Sequence, residues 1–235
     1  MSATGIGTGA RRLTPVLFVA AAAAAPAPQG VRVAGHVTIL EKDSWGGGAR
    51  DLGDAVVFLE GGAPVSARPG TLSIATRDKS FVPRVAVVPI GATVQFPNLD
   101  PFNHNVFAVS EPNQFDLGLY GRGEAARGHT FTTAGLVRVF CNIHPRMVAF
   151  IYVVATRSFT QPAVDGSFSI EGVPPGRYAM HAWHERSPEV TRGVTVGPAG
   201  ISDLAIELDA RRFRWVAHKN KYGRDYPTNA GRERY

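Results

Sequence analysis

The sequence predicts an all-β protein of the β-sandwich type. Short runs of alternating or continuous apolar residues recur along the chain, and clusters of Gly, Pro, Asn and Asp separate them, as expected for the strands of a sandwich. No stretch shows sustained helical periodicity between capping residues, although short helical turns are compatible with the sequence. The 235 residues suffice for one large β domain or two small ones.

The N-terminus has the features of an export signal. Arg11 and Arg12 precede a short apolar stretch, Leu13–Ala25, that ends in a run of alanines. Because about 20 apolar residues are needed to span a bilayer, this stretch is too short for a comfortable membrane helix. We therefore expect residues 1–25 to be a cleaved signal peptide and the mature protein to be periplasmic, with no stable membrane span. A retained membrane anchor is the alternative.

The overall charge does not point to nucleic acid. The formal net charge of +6 falls by two if Arg11 and Arg12 leave with the signal peptide, and part of the remainder lies in the C-terminal tail. The chain also lacks a motif that interleaves basic and aromatic residues, so we do not expect nucleic-acid binding.

The middle of the chain carries the clearest strand signals. Short apolar or alternating runs, each bounded by turn residues, occur at Leu72–Ile74, Val85–Val87, Val94–Phe96, Val137–Phe140 and Phe150–Val154. The last two runs flank a short loop that begins at the only cysteine of the chain.

This cysteine lies among potential metal ligands. Cys141 has no second cysteine with which to form a disulfide, and it precedes His144 by three residues and Met147 by six. A further histidine, His104, lies upstream. Two histidines, one cysteine and a weak axial methionine form the ligand set of a blue-copper electron-transfer centre. The sequence therefore predicts one type 1 copper ion bound by His104, Cys141, His144 and Met147.

The segment that contains these ligands resembles the cupredoxin family. The resemblance extends from Thr71 to Ala155, and its most specific parts are Gly91–Asn98 and Phe131–Val154. The spacing Cys-x-x-His-Pro-x-Met is closest to that of amicyanins. The resemblance implies a copper-binding domain at residues 67–156 with a Greek-key β-sandwich. Since protein ligands fill all four positions, no place for a substrate is evident, and we expect an electron carrier rather than an enzyme.

The same resemblance implies roles for neighbours of the ligands. It implies that Asn105 hydrogen-bonds across to the cysteine loop. Independently of the resemblance, Pro145 should stiffen the loop beside His144 because its ring fixes φ and removes a backbone donor. The resemblance also places His144 at the surface as the port for electrons, so that donor and acceptor redox proteins would dock near it. The residues expected to form an apolar patch around this port are Pro101, Phe102, Ile143 and Pro145, with Arg146 at the rim.

A second resemblance surrounds the first. Residues Val164–Tyr178 resemble a carboxypeptidase regulatory-like domain, which is a small transthyretin-like β-sandwich. The usual opening strands of that domain resemble Val33–Thr38 and Ala55–Leu59, which precede the cupredoxin-like segment. We therefore expect a second sandwich, formed by residues 30–62 and 160–209, into which the copper domain is inserted. The alternative is that the early strands simply extend the copper domain.

The last segment, residues 210–235, is strongly basic. Its aromatic residues, among them Tyr222 and Tyr226, suggest that part of it docks on the fold. A surface extension with a frayed end is a simpler interpretation than a dedicated arm that binds a partner.

The remaining histidines are weaker candidates for metal ligands. His181 and His184 should point to opposite faces of a strand, which disfavours a second metal site. His36, His129 and His218 have no ligand-like spacing and are expected at the surface.

Two functional classes remain open from the sequence. The leading prediction is a periplasmic carrier of single electrons between redox partners. The alternative is a non-redox module that handles copper or binds a partner or a carbohydrate through the second sandwich. A copper carrier would need an exposed and exchangeable site, whereas the mixed ligand set favours a permanent one.

Overall fold

The computed structural model describes residues 30–42, 51–61 and 69–227. The predicted signal peptide lies outside the described residues. Strands dominate, and within the described part of the chain the only helical element is a short 3-10 helix, Leu52–Asp54. The strands are β1 (Val31–Leu40), β2 (Val56–Gly61), β3 (Thr71–Ser73), β4 (Ala75–Arg77), β5 (Ser80–Val82), β6 (Val85–Pro89), β7 (Thr93–Phe96), β8 (His104–Ala108), β9 (Phe115–Tyr120), β10 (Arg127–Thr130), β11 (Gly135–Cys141), β12 (Val148–Val154), β13 (Phe159–Thr160), β14 (Ser167–Val173), β15 (Gly176–His184), β16 (Ser187–Val196) and β17 (Ile201–Asp209). The all-β fold class predicted from the sequence is confirmed.

The strands β3 to β12 form the first sandwich. Its larger sheet has the order β6-β12-β11-β8-β9, and a smaller sheet has the order β10-β7-β3. The pairing of β12 with β6 is parallel, whereas β11 pairs antiparallel with both β12 and β8. Buried side chains such as Phe96, Val139 and Ile151 fill the core of this sandwich.

Strands from both ends of the chain form the second sandwich. One sheet has the order β14-β1-β17 and the other the order β13-β2-β15-β16. Their buried residues form a separate core that includes Val33, Leu59, Met180 and Leu208. The strands β1 and β2 therefore pair with strands that follow the first sandwich in sequence. The bounds predicted for the two domains stay predictions.

A third buried cluster joins the two sandwiches. The side chains of Phe150 and Tyr152 in β12 pack against Trp183 in β15, with ring centroids 5.4 and 5.9 Å apart. At the edge of this cluster, Arg84 forms a bidentate ion pair with Glu185 at 2.9 and 2.6 Å. This third cluster explains why β12 is apolar along almost its whole length, because the two faces of the strand are buried in different cores.

None of the described residues belongs to a helix long and apolar enough to cross a membrane.

Candidate metal centre

Three of the four predicted ligands lie together at one end of the larger sheet. Cys141 is the last residue of β11, His104 is the first residue of the neighbouring β8, and His144 lies in the loop between β11 and β12. The Cys141 Sγ atom is 3.6 Å from His104 Nδ1 and 3.5 Å from His144 Nδ1. All three residues are buried, and together they could hold a metal ion.

These distances suit a bound metal ion. A first-row ion such as Zn²⁺ lies about 2.0 Å from an imidazole nitrogen and about 2.3 Å from a thiolate sulfur. With ligand angles of about 110–120°, the nitrogen and the sulfur are then about 3.5–3.7 Å apart. Both Sγ–Nδ1 distances fall in that interval. The softness of the sulfur donor, combined with two imidazoles, makes copper a suitable ion for this site.

Met147 lies close to the other ligands in the chain and is buried with them. It is 1% exposed and belongs to the same core cluster as Cys141. Its N–H group donates to the His144 carbonyl at 3.1 Å, and its carbonyl accepts from the Cys141 N–H at 3.3 Å. These bonds close the loop over the end of β11. Axial ligation by Met147 stays a prediction.

The surroundings of the thiol both oppose and favour its ionisation. Burial raises the pKa of Cys141, while main-chain N–H groups of Ile143, Asn105 and His144 act in the opposite direction because they stabilise the thiolate. A coordinated metal ion would remove the thiol proton outright.

Asp100 is a functional neighbour that the sequence analysis missed. Its Oδ2 atom is 2.8 Å from His104 Nε2, and the carboxylate is almost fully buried. The same carboxylate accepts the N–H groups of Asp78 at 2.6 Å and Lys79 at 3.1 Å. Asp78 and Lys79 have φ angles of +53° and +56° and form the tight turn between β4 and β5. Asp100 therefore ties this turn to a predicted metal ligand.

The hydrogen bond to Asp100 fixes which ring nitrogen of His104 is free to bind a metal ion. Burial lowers the pKa of His104, and Asp100 acts against that shift. Burial on its own would raise the pKa of Asp100, but the N–H groups of Lys79 and Asp78 and the contact with His104 hold it below its ordinary value. With Nε2 donating to the carboxylate, Nδ1 is left as the lone-pair atom that faces Cys141. Only the spacing of four residues between Asp100 and His104 hinted at this pair.

Asn105 contacts the cysteine loop through its main chain. Its carbonyl accepts the Asn142 N–H at 2.9 Å. Its side-chain amide instead donates to Asp116 Oδ1 at 2.6 Å. Pro145 is half-buried beside His144 in the same loop.

The structure corrects the expected exposure of His144. Its side chain is 5% exposed, whereas His104 is 0% exposed, so His144 reaches the surface only at an edge. The Phe102 ring lies 5.5 Å from the His144 ring, and Lys79 Nζ lies 5.2 Å from the Phe102 centroid. The Phe102 ring therefore packs against the imidazole, and the Lys79 ammonium lies beside that ring. Leu99, in the loop before His104, is 40% exposed.

Part of the C-terminal segment packs on the metal loop, in line with the docking that its aromatic residues suggested. The Tyr226 hydroxyl donates to the Cys141 carbonyl at 2.7 Å. The Lys221 N–H group donates to Asn142 Oδ1 at 3.0 Å. The rest of the basic extension beyond residue 227 lies outside the described residues.

Two histidines expected at the surface are half-buried against aromatic rings. The His218 ring stacks on Phe140 with centroids 4.3 Å apart, and the His129 ring stacks on Phe115 at 4.6 Å. His36 is exposed, as expected.

His181 and His184 do not add a second metal cluster. The His181 ring stacks on Phe58 and contacts Glu189 at 2.7 Å, while His184 is fully buried at the end of β15. Among the described residues, the only group of three or more His, Cys, Asp or Glu residues that could hold an ion is the one formed by His104, Cys141 and His144.

Comparison with known proteins links the chain to cupredoxin structures. No family model matches the chain, and no curated protein matches it. It is similar to a purple cupredoxin from Nitrosopumilus maritimus, with 22% identity over 35% of this chain and 99% of that one and a TM-score of 0.31. It is also similar to an amicyanin variant in the Cu(I) state, with 22% identity over 36% of this chain and 82% of that one and a TM-score of 0.33.

A larger similar protein is a copper-containing nitrite reductase from Thermus scotoductus SA-01. It is 24% identical over 51% of this chain, with a TM-score of 0.35, and the chain spans only 28% of its length. The resemblance of the second sandwich to carboxypeptidase regulatory-like domains finds no support among these structures and stays a prediction.

Proposed function

We propose that this protein is a periplasmic type 1 copper protein that carries single electrons between redox partners and is not an enzyme. The observation that supports this proposal best is the approach of both histidine Nδ1 atoms to Cys141 Sγ at metal-binding distances. Copper bound there would supply a one-electron couple at a thiolate and two imidazoles.

The protein residues around the cluster favour electron transfer over catalysis. Cys141, His104 and Met147 are at most 1% exposed, so substrate has little access to them. His104 is held by Asp100, and the loop that carries His144 is held by main-chain bonds to Met147. A site whose donors are fixed in place and shielded from water suits an ion that stays bound while its charge changes.

The surface above His144 is the proposed place for partner docking. His144 is the ligand nearest to solvent, and exposed Leu99, Pro101 and Arg146 lie in the surrounding loops. An apolar surface over the imidazole would let a partner approach closely, and the nearby basic residues would favour partners with acidic rims. Export to the periplasm rests on the signal-like residues 1–25.

A direct test is the spectrum of the loaded protein. We expect the purified mature protein, mixed with one equivalent of Cu(II), to become blue through thiolate-to-copper charge transfer. Visible absorption and electron paramagnetic resonance would measure this. Cys141→Ala should abolish the colour, whereas His36→Ala, at an exposed position in the second sandwich, should retain it.

A colourless product with an ordinary tetragonal copper signal would contradict the proposal. That result would favour the alternative of a non-redox module that handles copper or binds a partner or carbohydrate.

A further inference from the structure

The C-terminal strap, defined as residues 218–226, crosses the end of β11 where the metal ligands lie. Two of its hydrogen bonds reach the residues at the beginning of the metal loop. Tyr226 donates its hydroxyl to the Cys141 carbonyl at 2.7 Å, and Lys221 donates its N–H to Asn142 Oδ1 at 3.0 Å. The strap thus contacts a predicted ligand and the residue that follows it.

A closed set of polar contacts connects the strap to both ligand-bearing strands. The Lys221 ammonium contacts Asp116 Oδ2 at 2.7 Å, and Asp116 Oδ1 accepts the side-chain amide of Asn105 at 2.6 Å. The Asn105 carbonyl accepts the N–H of Asn142 at 2.9 Å. The side-chain oxygen of Asn142 in turn accepts the N–H of Lys221, which closes the set. Asn105 follows His104 and Asn142 follows Cys141, so the set joins the neighbours of two ligands.

Aromatic packing anchors the beginning of the strap. The His218 ring stacks on Phe140 at 4.3 Å and meets the Tyr226 ring edge-on at 5.2 Å. Burial lowers the pKa of His218, whereas hydrogen bonds to the carbonyls of Lys219 and Pro145 act to raise it. Because Pro145 belongs to the metal loop, the His218 ring also lies beside that loop. Phe140 immediately precedes Cys141 and Asn142 follows it, so the strap contacts the chain on both sides of the cysteine.

We propose that the strap is a clamp on the metal loop, and that Tyr226 and Lys221 are positioning residues that tune the reduction potential of the copper site. The effect on the reduction potential rests on the proposed electron-carrier function. The clamp itself is a property of the polypeptide and can be tested without copper.

The physical link runs through the N–H groups that face the sulfur. Main-chain N–H groups of Asn105, Ile143 and His144 favour the Cys141 thiolate. Such bonds withdraw electron density from the sulfur and stabilise reduced over oxidised copper, so hydrogen bonding around the cysteine sulfur tunes the potential. If the strap loosens, the loop moves and these bonds weaken. The potential should then fall.

The first experiment measures the clamp in the metal-free full-length protein. Tyr226→Phe removes one hydroxyl and retains the ring, so the fold should survive. Amide hydrogen exchange of Asn142, whose N–H is bonded to Asn105, should become about fivefold faster, as expected for the loss of one net hydrogen bond that opposes local opening. Arg224→Lys is the control, since Arg224 is exposed on the same strap and the change retains its charge, so the exchange should stay unchanged.

The second experiment measures the potential of the copper-loaded variants. Tyr226→Phe and Lys221→Met should both lower it relative to the parent protein, and Arg224→Lys should not. Lys221→Met retains most of the side-chain stem and removes the charge that contacts Asp116. It therefore provides a second variant if Tyr226→Phe folds poorly.

The outcomes separate the clamp from the proposed function. Unchanged Asn142 exchange in both variants would overturn the clamp, whatever metal the site binds. Faster exchange with an unchanged potential would overturn the positioning role. Faster exchange in a protein that never becomes blue would support the clamp and contradict the electron-carrier function.

Discussion

Asp100→Asn should raise the reduction potential of the proposed copper site. The carboxylate is 3% exposed and its Oδ2 atom lies 2.8 Å from His104 Nε2, on the side of the imidazole opposite to Cys141. Its pKa is held below the ordinary value, so at neutral pH it carries a full negative charge beside a ligand. A negative charge near the metal stabilises Cu(II) more than Cu(I), and asparagine removes that charge at nearly constant volume.

The magnitude follows from the geometry. The Asp100–His104 contact, the width of the imidazole and a metal–nitrogen bond of about 2 Å place the carboxylate about 7 Å from a metal ion bound at His104 Nδ1. With an effective dielectric constant of about 20, one unit charge at that distance contributes about 2.4 kcal/mol. For a one-electron couple this corresponds to a rise of about 100 mV.

Voltammetry of the copper-loaded parent and variant measures this shift. Asp203→Asn is the matched control, because Asp203 is exposed on β17 in the second sandwich and its loss removes the same charge away from the site. Thermal unfolding of both variants checks the fold, since Asp100 also accepts the N–H groups of Asp78 and Lys79. A rise below about 30 mV in a folded, blue variant would refute the electrostatic argument, because it would require a far higher effective dielectric constant.

Two further predictions concern the axial ligand and the response to acid. Met147→Leu should retain copper and raise the potential, because loss of a weak axial donor destabilises Cu(II) more than Cu(I); an unchanged potential in voltammetry would show that Met147 is not a ligand. Burial lowers the pKa of His184, so below pH about 6.5 the unfolded state binds more protons and the free energy of unfolding falls. Urea unfolding of the metal-free protein at pH of about 7.5 and 5.5 measures how far the free energy of unfolding falls between the two values. In His184→Asn this fall should be smaller than in the parent protein by up to about 1.4 kcal/mol. An equal fall in His184→Asn and in the exposed control His36→Asn would contradict the argument.

The ligand loop could be predicted because its information is local. Cys141, His144 and Met147 lie within one short loop, and clear apolar runs on either side define it as a connection between two strands. His104 is 37 residues upstream of Cys141, so no local spacing links the two, and their assignment to one site depended on ligand chemistry and on the resemblance to a known family. The structure provides the physical link: β8 and β11 are neighbours, with Cys141 opposite Val106.

The contacts that support the ligands could not be predicted because they are not local and have no periodic signal. Tyr226 and Cys141 are 85 residues apart, and Lys221 and Asp116 are 105 residues apart. Nothing in a basic segment distinguishes a lysine that joins a hydrogen-bond network beside the site from one that remains in solvent. Exposure of His144 was overestimated for a related reason, because the position of the Phe102 ring depends on how a separate loop folds back.

The two sandwiches are physically interdependent around the candidate metal site. The face of β12 that carries Phe150 and Tyr152 is buried only because β2 and β15 of the second sandwich cover it. The strap that contacts Cys141 follows β17, the last strand of that second sandwich. A fragment limited to residues 67–156 would therefore expose an apolar sheet face and lose the hydrogen bonds from Tyr226 and Lys221. The second sandwich thus contributes to the metal site in two ways, by covering the sheet from which the ligands project and by anchoring the segment that closes over their loop.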